Sequence, residues 1–480
     1  MAESLKNRTV NGVVWSAIDR FSALGIQMIC SLIVAHLLTP KDFGILGMIA
    51  VFSAIGMVLI DSGFGSALIR RNDATEIDYS SVFYFNIFIS IISYIFLFYI
   101  SPYIAYFYDI PELTTVCRIT FLVIPINALG LIQNTRLIKN INFKSIAIVS
   151  LFSALMSGIA GIILAYYMRN VWALVIQNVS MYGLRTLLLW CISRWKPLLK
   201  FSMVSIKSMW KYSINLLGFG LIGSFTQNLY PLMIGKIYNA TQLGYYSQAD
   251  RLQKLPSTSI TEVIQRVCFP VLSEIKDDII RMREVYRKII ITTLFIIFPL
   301  MMLLIGISDE LIIILMGAQW EQSIQYFKIL CIVGALYPLH SINLNILNVV
   351  GKSNVSLKLE ICRKTILIVF IIIFAQYSIV LFIWMQVIYS FIVLFINIFY
   401  SGREINYGII DQIKDIIPTA SLSIIPLILI ILIGHIIQLE NYIMLLVKTS
   451  LYCFIYLGSN YLLKTEAYSF AISSIRNIKL

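Results

Sequence analysis

The sequence predicts an all-α polytopic membrane protein. Of its 480 residues, 59% are hydrophobic and only 13% are charged, and the mean hydropathy is +0.85, which is untypical of soluble globular chains. Apolar runs long enough to cross ~30 Å of hydrocarbon as helices recur along the whole length. Runs such as Leu294 to Ile307 do not alternate apolar and polar residues, as the strands of a membrane barrel would.

Short polar gaps divide the chain into about fourteen predicted spanning helices. These helices cover residues 11–36, 44–69, 81–107, 116–135, 146–168, 170–192, 211–236, 243–272, 287–307, 324–350, 358–376, 377–401, 414–436 and 440–462. Residues 193–210 form a seam between a six-helix first half and the remainder. We expect the first helix to be retained rather than cleaved as a signal, because the segment before it is polar and Asp19 and Arg20 interrupt its apolar run.

Lys and Arg are distributed unequally between the two sides that these helices define. The gaps after even-numbered helices carry most of them: Arg70, Arg71, Arg136, Lys139, Lys144, Arg194, Lys196, Lys200, Lys207, Lys276, Arg281, Arg283, Arg287, Lys288, Lys352, Lys358 and Arg403. The gaps after odd-numbered helices carry chiefly Lys41, Arg169 and Lys236 among several acids. The positive-inside rule therefore predicts cytoplasmic termini. It also explains much of the net charge of +13, so nucleic acid is not an expected partner.

Two segments that lie two hundred residues apart share one design. In each, an apolar helix, a short polar break, a bulky apolar residue and a Gly precede a second helix; the first copy is Leu32 to Gly44 and the second is Leu232 to Gly244. On the predicted topology, each copy is the external turn joining the first two helices of a half. Helix 8 then corresponds to helix 2. Such repeated halves build the walls of a central substrate site in many transporters.

Charged side chains inside the predicted spans are the strongest functional signal. Each costs at least ~2.5 to 3.5 kcal/mol on insertion scales, so it normally faces water or a partner. Helix 1 contributes Asp19 and Arg20 on a small and polar face, and helix 2 contributes Asp61. Helix 8 carries Asp250, Arg251, Lys254, Glu262 and Arg266. Two acids do not neutralise three bases, so helix 8 is expected to line an aqueous cavity, with a bend at Pro256. The alternative is that these charges form ion pairs that hold helices together.

No signature of catalysis is present in the sequence. The seven Cys are scattered singly and the three His lie far apart, so no metal site is predicted. No nucleophile-and-base pair or phosphate-binding Gly loop is apparent. We therefore predict no catalytic residue, no metal and no cofactor.

Several motifs in the first 360 residues resemble those of Wzx-type polysaccharide transporters. They are Asp42-Phe43-Gly44, Asp61-Ser62-Gly63-Phe64-Gly65, Val82-Phe83-Tyr84-Phe85-Asn86, Gly244-Tyr245-Tyr246-Ser247, Ala249-Asp250-Arg251-Leu252-Gln253, Phe269-Pro270-Val271-Leu272-Ser273 and Tyr337-Pro338-Leu339-His340. The resemblance implies the multidrug/oligosaccharidyl-lipid/polysaccharide exporter superfamily, with two pseudo-symmetric six-helix bundles around a central cavity. The implied domains are residues 1–192, a basic cytoplasmic linker 193–210, residues 211–401, and two extra helices with a tail in 402–480.

The resemblance implies a flippase of the bacterial inner membrane. Such proteins move a polyprenyl-pyrophosphate-linked oligosaccharide by alternating access, for lipopolysaccharide, capsule or exopolysaccharide synthesis. The cationic residues that match the family's head-group site are Arg20, Arg251 and Arg266, with Lys254 beside them. Arg suits this task because it makes charge-assisted, often bidentate contacts to phosphate.

Two further sets of candidates follow from the implied transport. A coupling proton or cation would act on Asp19, Asp61 or Glu262, unless these acids merely pair with Arg. Candidate glycan contacts are Gln27, Asn215, Gln227, Asn228, Tyr230 and Asn345. An interhelix hydrogen bond explains each of these polar residues equally well.

Other function classes fit the sequence less well. A drug or cation antiporter of the same fold would use Asp19 and Asp61 as its cation site, but it does not explain the surplus of bases on helix 8. A membrane glycan polymerase or glycosyltransferase usually has a sizeable external loop, whereas the longest external gap here is residues 308–323. The expected partners are the lipid-linked oligosaccharide, membrane lipids and enzymes of glycan assembly, and a monomer is expected.

Overall fold

The computed structural model describes residues 2–61, 63–437 and 439–470. Throughout these ranges the regular structure is helical and no strand occurs, which confirms the predicted all-α class. The helices are α1 (Ala2–Leu37), α2 (Pro40–Asp61), α3 (Phe64–Arg70), α4 (Glu76–Tyr108), α5 (Leu113–Thr120), α6 (Val123–Lys139), α7 (Phe143–Met168), α8 (Val171–Ser193), α9 (Met203–Gln227), α10 (Leu229–Ile237), α11 (Ala240–Glu274), α12 (Ile279–Gly306), α13 (Ser308–Met316), α14 (Glu321–Val349), α15 (Ser353–Phe374), α16 (Ile379–Ile405), α17 (Ile409–Ile436) and α18 (Asn441–Leu462).

Ten helical stretches of the described chain are long and apolar enough to cross a membrane. They are Val14–Leu37, Pro40–Arg70, Glu76–Tyr108, Leu113–Lys139, Phe143–Met168, Ile279–Gly306, Ala318–Val349, Ile379–Ile405, Ile409–Ile436 and Asn441–Leu462. The other four predicted spans coincide with α8, α9 and α10, α11, and α15, which are helical but are not among these ten stretches. The chain is therefore a multi-pass helical membrane protein, and the count of fourteen stays a prediction.

Three of the predicted helices are broken in the structure. Helix 2 divides into α2 and α3, because Gly63 adopts a left-handed backbone with φ 72° before α3. A side chain at Gly63 would also bring its Cβ within 2.8 Å of Leu216 Cβ. Helix 4 divides into α5 and α6 after Thr120, and helix 7 divides into α9 and α10 at Asn228. Apolar composition continues across each break, so hydropathy alone did not reveal it.

The chain divides into two compact units, residues 1–244 (unit 1) and 245–480 (unit 2). In unit 1, α1 packs along α7 and α8 packs against α6 and α7. In unit 2, α14 packs on α16, and α12 packs on α17. The C-terminal helices are anchored in the same unit, since Tyr452 and Tyr456 of α18 form an apolar cluster with Ile430 of α17.

The predicted linker packs closely against the start of α4. Trp195 Nε1 donates a hydrogen bond to Glu76 Oε2 over 2.7 Å. Backbone N–H groups of Leu198 and Ser202 donate to hydroxyls of α4 at 2.8 and 2.9 Å. Because these bonds satisfy backbone groups of an irregular segment, residues 194–202 are held against unit 1.

Candidate functional site

The candidate residues of α1 lie on a helix that is closely packed along one side. An ideal Cβ at Gly158 of α7 would lie 2.4 Å from Cys30 Sγ, so a small residue is required there. Arg20 is exposed. Asp19 is half-buried, and its Oδ1 is buried without a hydrogen-bond partner among the described atoms. A buried carboxylate oxygen in this condition is costly, which marks Asp19 as more than a surface acid.

Gln27 lies two turns further along α1. Its Nε2 is 3.8 Å from Sδ of Met181 in α8, which is a weak contact for an amide donor. The side chain is half-buried. This contact is an interhelix interaction, the alternative that the sequence left open, and it leaves the amide oxygen to other partners.

Asp61 is the last residue of α2, and its side chain is exposed. An ideal Cβ at Gly65 would lie 3.6 Å from Asp61 Oδ1 and 3.1 Å from Oγ1 of Thr135 in α6. The carboxylate therefore sits against the first turn of α3.

The four polar candidates around the α9–α10 break differ in their roles. Asn215 and Gln227 are exposed, and Tyr230 is half-buried. Asn228 stands at the break itself, where its Nδ2 donates to the Ser224 carbonyl over 2.8 Å. A capping role of this kind explains Asn228 without a ligand.

α11 presents two different polar faces. Gln253, Ser257 and Thr261 are buried, and the Ser257 and Thr261 hydroxyls donate to carbonyls one turn earlier. This face packs on α14, since an ideal Cβ at Gly334 would lie 2.5 Å from Gln253 Oε1. The helix runs without interruption through Pro256.

The charged face of α11 is less basic than its sequence suggests. Lys254 Nζ pairs with Asp250 Oδ2 at 2.5 Å, and Gln253 Nε2 donates to the other carboxylate oxygen at 3.1 Å. The Asp250 carboxylate, one helical turn before Lys254, therefore neutralises the charge of the Lys254 ammonium group. Arg251 and Arg266 are exposed, and Glu262 is half-buried. Pairing with Asp250 thus lowers the positive charge that Lys254 contributes to this face.

Sequence reasoning missed a buried polar seam among α14, α16 and α17. Ser401 Oγ donates to Asn343 Oδ1 over 2.6 Å, and Gln412 Nε2 donates to the same oxygen over 3.2 Å. His340 Nε2 lies 2.8 Å from Ser390 Oγ. The candidate Asn345 is only half-buried and lies beside this seam in sequence. Polar residues at four- and seven-residue spacings in α16 were the available signal.

Two charge clusters at helix ends were also missed. Arg136 Nη1 contacts both carboxylate oxygens of Glu76 at 2.6 and 2.7 Å. In unit 2, Arg287 pairs with Asp415 at 2.8 Å and with Glu466 at 2.7 Å. The sequence placed these cations by topology, but it gave no signal of partners that lie 60 to 179 residues away.

A buried ion pair joins α13 to α18. Lys448 Nζ lies 2.5 Å from Glu310 Oε1, and their side chains are 6% and 9% exposed. Removing one partner from such a pair is strongly destabilising, because it leaves a buried charge uncompensated. The pair therefore fixes the last helix within unit 2.

The two copies of the repeated turn meet in unit 1 through a reciprocal contact. An ideal Cβ at Gly44 would lie 1.6 Å from the Ala240 carbonyl oxygen, and one at Gly244 would lie 1.8 Å from that of Pro40. Each glycine thus touches the first residue of the other helix. No side chain fits at either position unless the backbones separate.

A hydrogen bond to a polar side chain fixes the start of each of these two helices. Before α2, the Thr39 N–H donates to Asp42 Oδ2 over 3.0 Å. Before α11, Asn239 Oδ1 accepts from the Gln242 N–H over 2.8 Å. These are the two complementary halves of a capping box, and they set where each helix starts.

Comparison with known proteins identifies the family. Residues 33–325 match the family described as "Polysaccharide biosynthesis protein". The chain belongs to this polysaccharide biosynthesis family. The resemblance to Wzx-type polysaccharide transporters, which the sequence motifs predicted, is therefore confirmed.

Two relatives of this family member match most of the chain. The teichuronic acid biosynthesis protein TuaB of Bacillus subtilis is 26% identical over 355 residues, which are 74% of each chain. The lipopolysaccharide biosynthesis protein WzxC of Escherichia coli is 23% identical over 380 residues, which are 78% of this chain and 76% of WzxC.

A solved structure of the lipid II flippase MurJ, in an inward closed conformation, has the same fold. It superimposes with a TM-score of 0.74 at 15% sequence identity, covering 94% of this chain and 99% of MurJ. At this level of sequence identity, the similarity to MurJ shows a shared fold and nothing about function. Within the described residues, no group of three or more His, Cys, Asp or Glu is arranged to hold a metal ion.

Proposed function

We propose that this protein is a flippase that translocates a polyprenyl-pyrophosphate-linked oligosaccharide across the bacterial inner membrane by alternating access. Family membership supports transport of a glycan precursor, as do relatives that are named for teichuronic acid and lipopolysaccharide biosynthesis. The single observation that carries the assignment to an anionic cargo is the charged face of α11. There Arg251 and Arg266 are exposed on a helix whose other face, with Gln253, Ser257 and Thr261, is buried.

Arg20 and Arg251 bind the pyrophosphate in this proposal, and Arg266 and Lys254 assist. A guanidinium group presents a planar set of donors that matches two phosphate oxygens at once, and the attraction strengthens where the dielectric is low. Lys254 contributes less than Arg251, because Asp250 already holds its ammonium group.

Asp19 and Asp61 are the proposed coupling acids, with Glu262 as a further member of the set. Asp19 has a buried carboxylate oxygen without a hydrogen-bond partner among the described atoms. A proton or a cation would satisfy that oxygen. Binding of the coupling ion and of the anionic cargo would then favour different conformations, as alternating access requires.

The glycan is proposed to contact Gln27, Asn215, Gln227, Tyr230 and Asn345. Exposure of Asn215 and Gln227 supports their availability. Asn228 is a weaker candidate, because its amide already caps α9. Amide groups suit a hydroxyl-rich cargo, since each offers both donors and an acceptor.

The proposed architecture has fourteen spanning helices, arranged as two pseudo-symmetric six-helix bundles (1–192 and 211–401), the basic linker 193–210, and two C-terminal helices. Both termini face the cytoplasm and the protein acts as a monomer. Glycan polymerases and other assembly enzymes are its proposed neighbours. No enzymatic step is assigned to it.

Complementation of a strain that lacks its own flippase tests the proposal. Arg20→Ala and Arg251→Ala should each reduce glycan export by at least tenfold at equal membrane levels. Arg251→Lys should recover only part of the activity, because an ammonium group cannot make the bidentate contact. Full export by both alanine variants would contradict the pyrophosphate assignment.

The same strain tests the role of the coupling acids. It also distinguishes a flippase from a drug or cation antiporter. Asp19→Asn and Asp61→Asn should abolish the response of export to the proton or cation gradient, and insensitivity of both variants would remove the coupling role. Resistance to cationic drugs without glycan export would instead indicate an antiporter.

A further inference from the structure

A half-open apolar cleft lies within unit 1, among α2, α3, α4 and α9. It bounds about 420 Å³ of space, part of which is continuous with the surroundings of the protein. Its walls include Leu59 of α2, Phe64 of α3, Phe85 and Ile89 of α4, and Trp210 and Leu217 of α9. Every residue that lines it is apolar, which suits a hydrocarbon chain and excludes the glycan.

Three aromatic rings form one wall of the cleft. The Phe64 ring centroid lies 5.1 Å from that of Phe85 and 6.3 Å from that of Trp210, and Phe85 and Trp210 are also 6.3 Å apart. The left-handed turn at Gly63 begins α3 at Phe64. The break in the predicted helix 2 therefore places Phe64 in this wall.

One end of the cleft is basic. Lys207 and Lys211 are exposed one turn apart on α9, and Ile214 of the cleft lies on the same side of the helix. The Arg70 guanidinium lies 5.2 Å from the centre of the Tyr212 ring. Along α9, Lys207 and Leu217 are separated by about 15 Å at 1.5 Å per residue. Cations at one end and hydrocarbon along the rest match a lipid with an anionic head.

We propose that this cleft binds the isoprenoid chain of a polyprenyl phosphate, with Arg70, Lys207 and Lys211 around its phosphate. The inference rests on the proposed function, which supplies a cargo built on such a carrier. A single cleft accommodates one chain, whereas a bilayer phospholipid carries two. The site would hold the carrier at the level where the positive-inside rule places the cytoplasmic surface, and the cleft accounts for Trp210 and Phe85, which the transport proposal leaves unused.

Photolabelling of the purified full-length protein tests the site. The probe is a photoactivatable polyprenyl phosphate without glycan. Ile89→Trp fills the cleft, and Ile92→Trp on the exposed side of the same helix is the matched control. Ile89→Trp should lower labelling at least tenfold, and Ile92→Trp should leave it unchanged. If Ile89→Trp does not reach the membrane, Leu217→Phe replaces it.

The head group and the source of the lipid are tested in the same assay. Lys207→Gln combined with Lys211→Gln should weaken labelling by the phosphate probe but not by a matching polyprenol probe. Phosphatidylglycerol at equal concentration should not compete. Equal labelling of Ile89→Trp and Ile92→Trp, or equal competition by phosphatidylglycerol, would overturn the proposal in favour of a general lipid surface.

The outcome is distinguishable from failure of the proposed function. The probe lacks glycan and pyrophosphate, so the result does not depend on Arg20 or Arg251. If labelling fails while glycan export by the wild type is intact, only the cleft is refuted. If labelling succeeds while Arg20→Ala and Arg251→Ala export normally, the cleft stands and the pyrophosphate site is wrong.

Discussion

α2 and α11 begin alike and then diverge. At the start of α2 Asp42 accepts from the Thr39 N–H, and at the start of α11 Asn239 accepts from the Gln242 N–H. Each helix also has a glycine that touches the backbone of the other helix. α2 ends after 22 residues and is followed by the left-handed Gly63, whereas α11 continues for 35 residues. The shared part sets the contact between the two helices, and the divergent part carries the charged face on one of them only.

The difference indicates where charged residues can be placed without altering the shared contact. Identical packing needs identical small residues, so Gly44 and Gly244 stay alike. The charges are not needed for that contact, and they are confined to α11, where a buried face of Gln253, Ser257 and Thr261 anchors the helix. α2 has Asp61 at its end and a break instead.

The largest expected effect is on the shared contact. Gly44→Leu or Gly244→Leu should abolish glycan export, because a Cβ at either site would overlap a carbonyl oxygen at less than 2 Å. Even Gly44→Ala should reduce export strongly. Export and membrane level are measured together. Gly25→Ala is the control, since an added Cβ there meets no atom within 4 Å; normal export by Gly44→Leu would refute the reciprocal contact.

The second-largest expected effect is a difference in transport between variants of Arg251 and of Lys254 in α11. Arg251→Ala should lower transport at least tenfold, whereas Lys254→Ala should lower it several-fold less, because Asp250 already pairs with Lys254. Initial rates of transport in vesicles at matched protein levels provide the measurement. Equal losses in the two variants would show that the ion pair does not reduce the role of Lys254.

The break after α2 predicts a smaller effect. Gly63→Ala requires a left-handed conformation that costs an L-residue roughly 1–2 kcal/mol, and its Cβ would crowd Leu216. Thermal unfolding of the purified protein should show a lower midpoint. Gly218→Ala, where no atom lies within 4 Å of an added Cβ, should leave the midpoint unchanged. A wild-type midpoint for Gly63→Ala would mean that the break tolerates a side chain.

The smallest effect concerns the caps. Asn239→Ala removes the oxygen that accepts from the Gln242 N–H and should destabilise the protein by about 1 kcal/mol. Thr39→Ala should cost less, because the Thr39 backbone N–H still donates to Asp42. Unfolding midpoints rank the two variants. The reverse order would show that the side chains do not cap the helices as described.

Much of the fold could be predicted from the sequence, but the partners of polar residues could not. Apolar length and the distribution of Lys and Arg predict helices and their order, and the repeated turn predicts that α2 corresponds to α11. Periodicity describes the faces of one helix and not the helix that covers them. The Asp250–Lys254 pair was within reach, since its members are one turn apart. The bond from Arg136 to Glu76 was not, because it joins residues 60 positions apart.

In the candidate site, too, some features could be predicted from the sequence and the contacts between helices could not. The bases of α11 and Asp61 were visible as charges within apolar sequence, whereas the seam around Asn343 was hidden because its members lie 58 and 69 positions apart in the chain. Gly63 was visible as a letter but not as a break, since glycine is common within membrane helices. Its left-handed φ is evident only in the folded structure, where Leu216 packs beside it.

Flipping of a fluorescent polyprenyl-pyrophosphate-linked oligosaccharide by the purified protein in proteoliposomes tests the central claim most directly. The wild type should move the probe between leaflets well above the rate in protein-free vesicles, and Arg251→Ala should reduce that rate at least tenfold. A wild-type rate no higher than in protein-free vesicles, under an imposed proton or cation gradient of either direction, would contradict the flippase assignment.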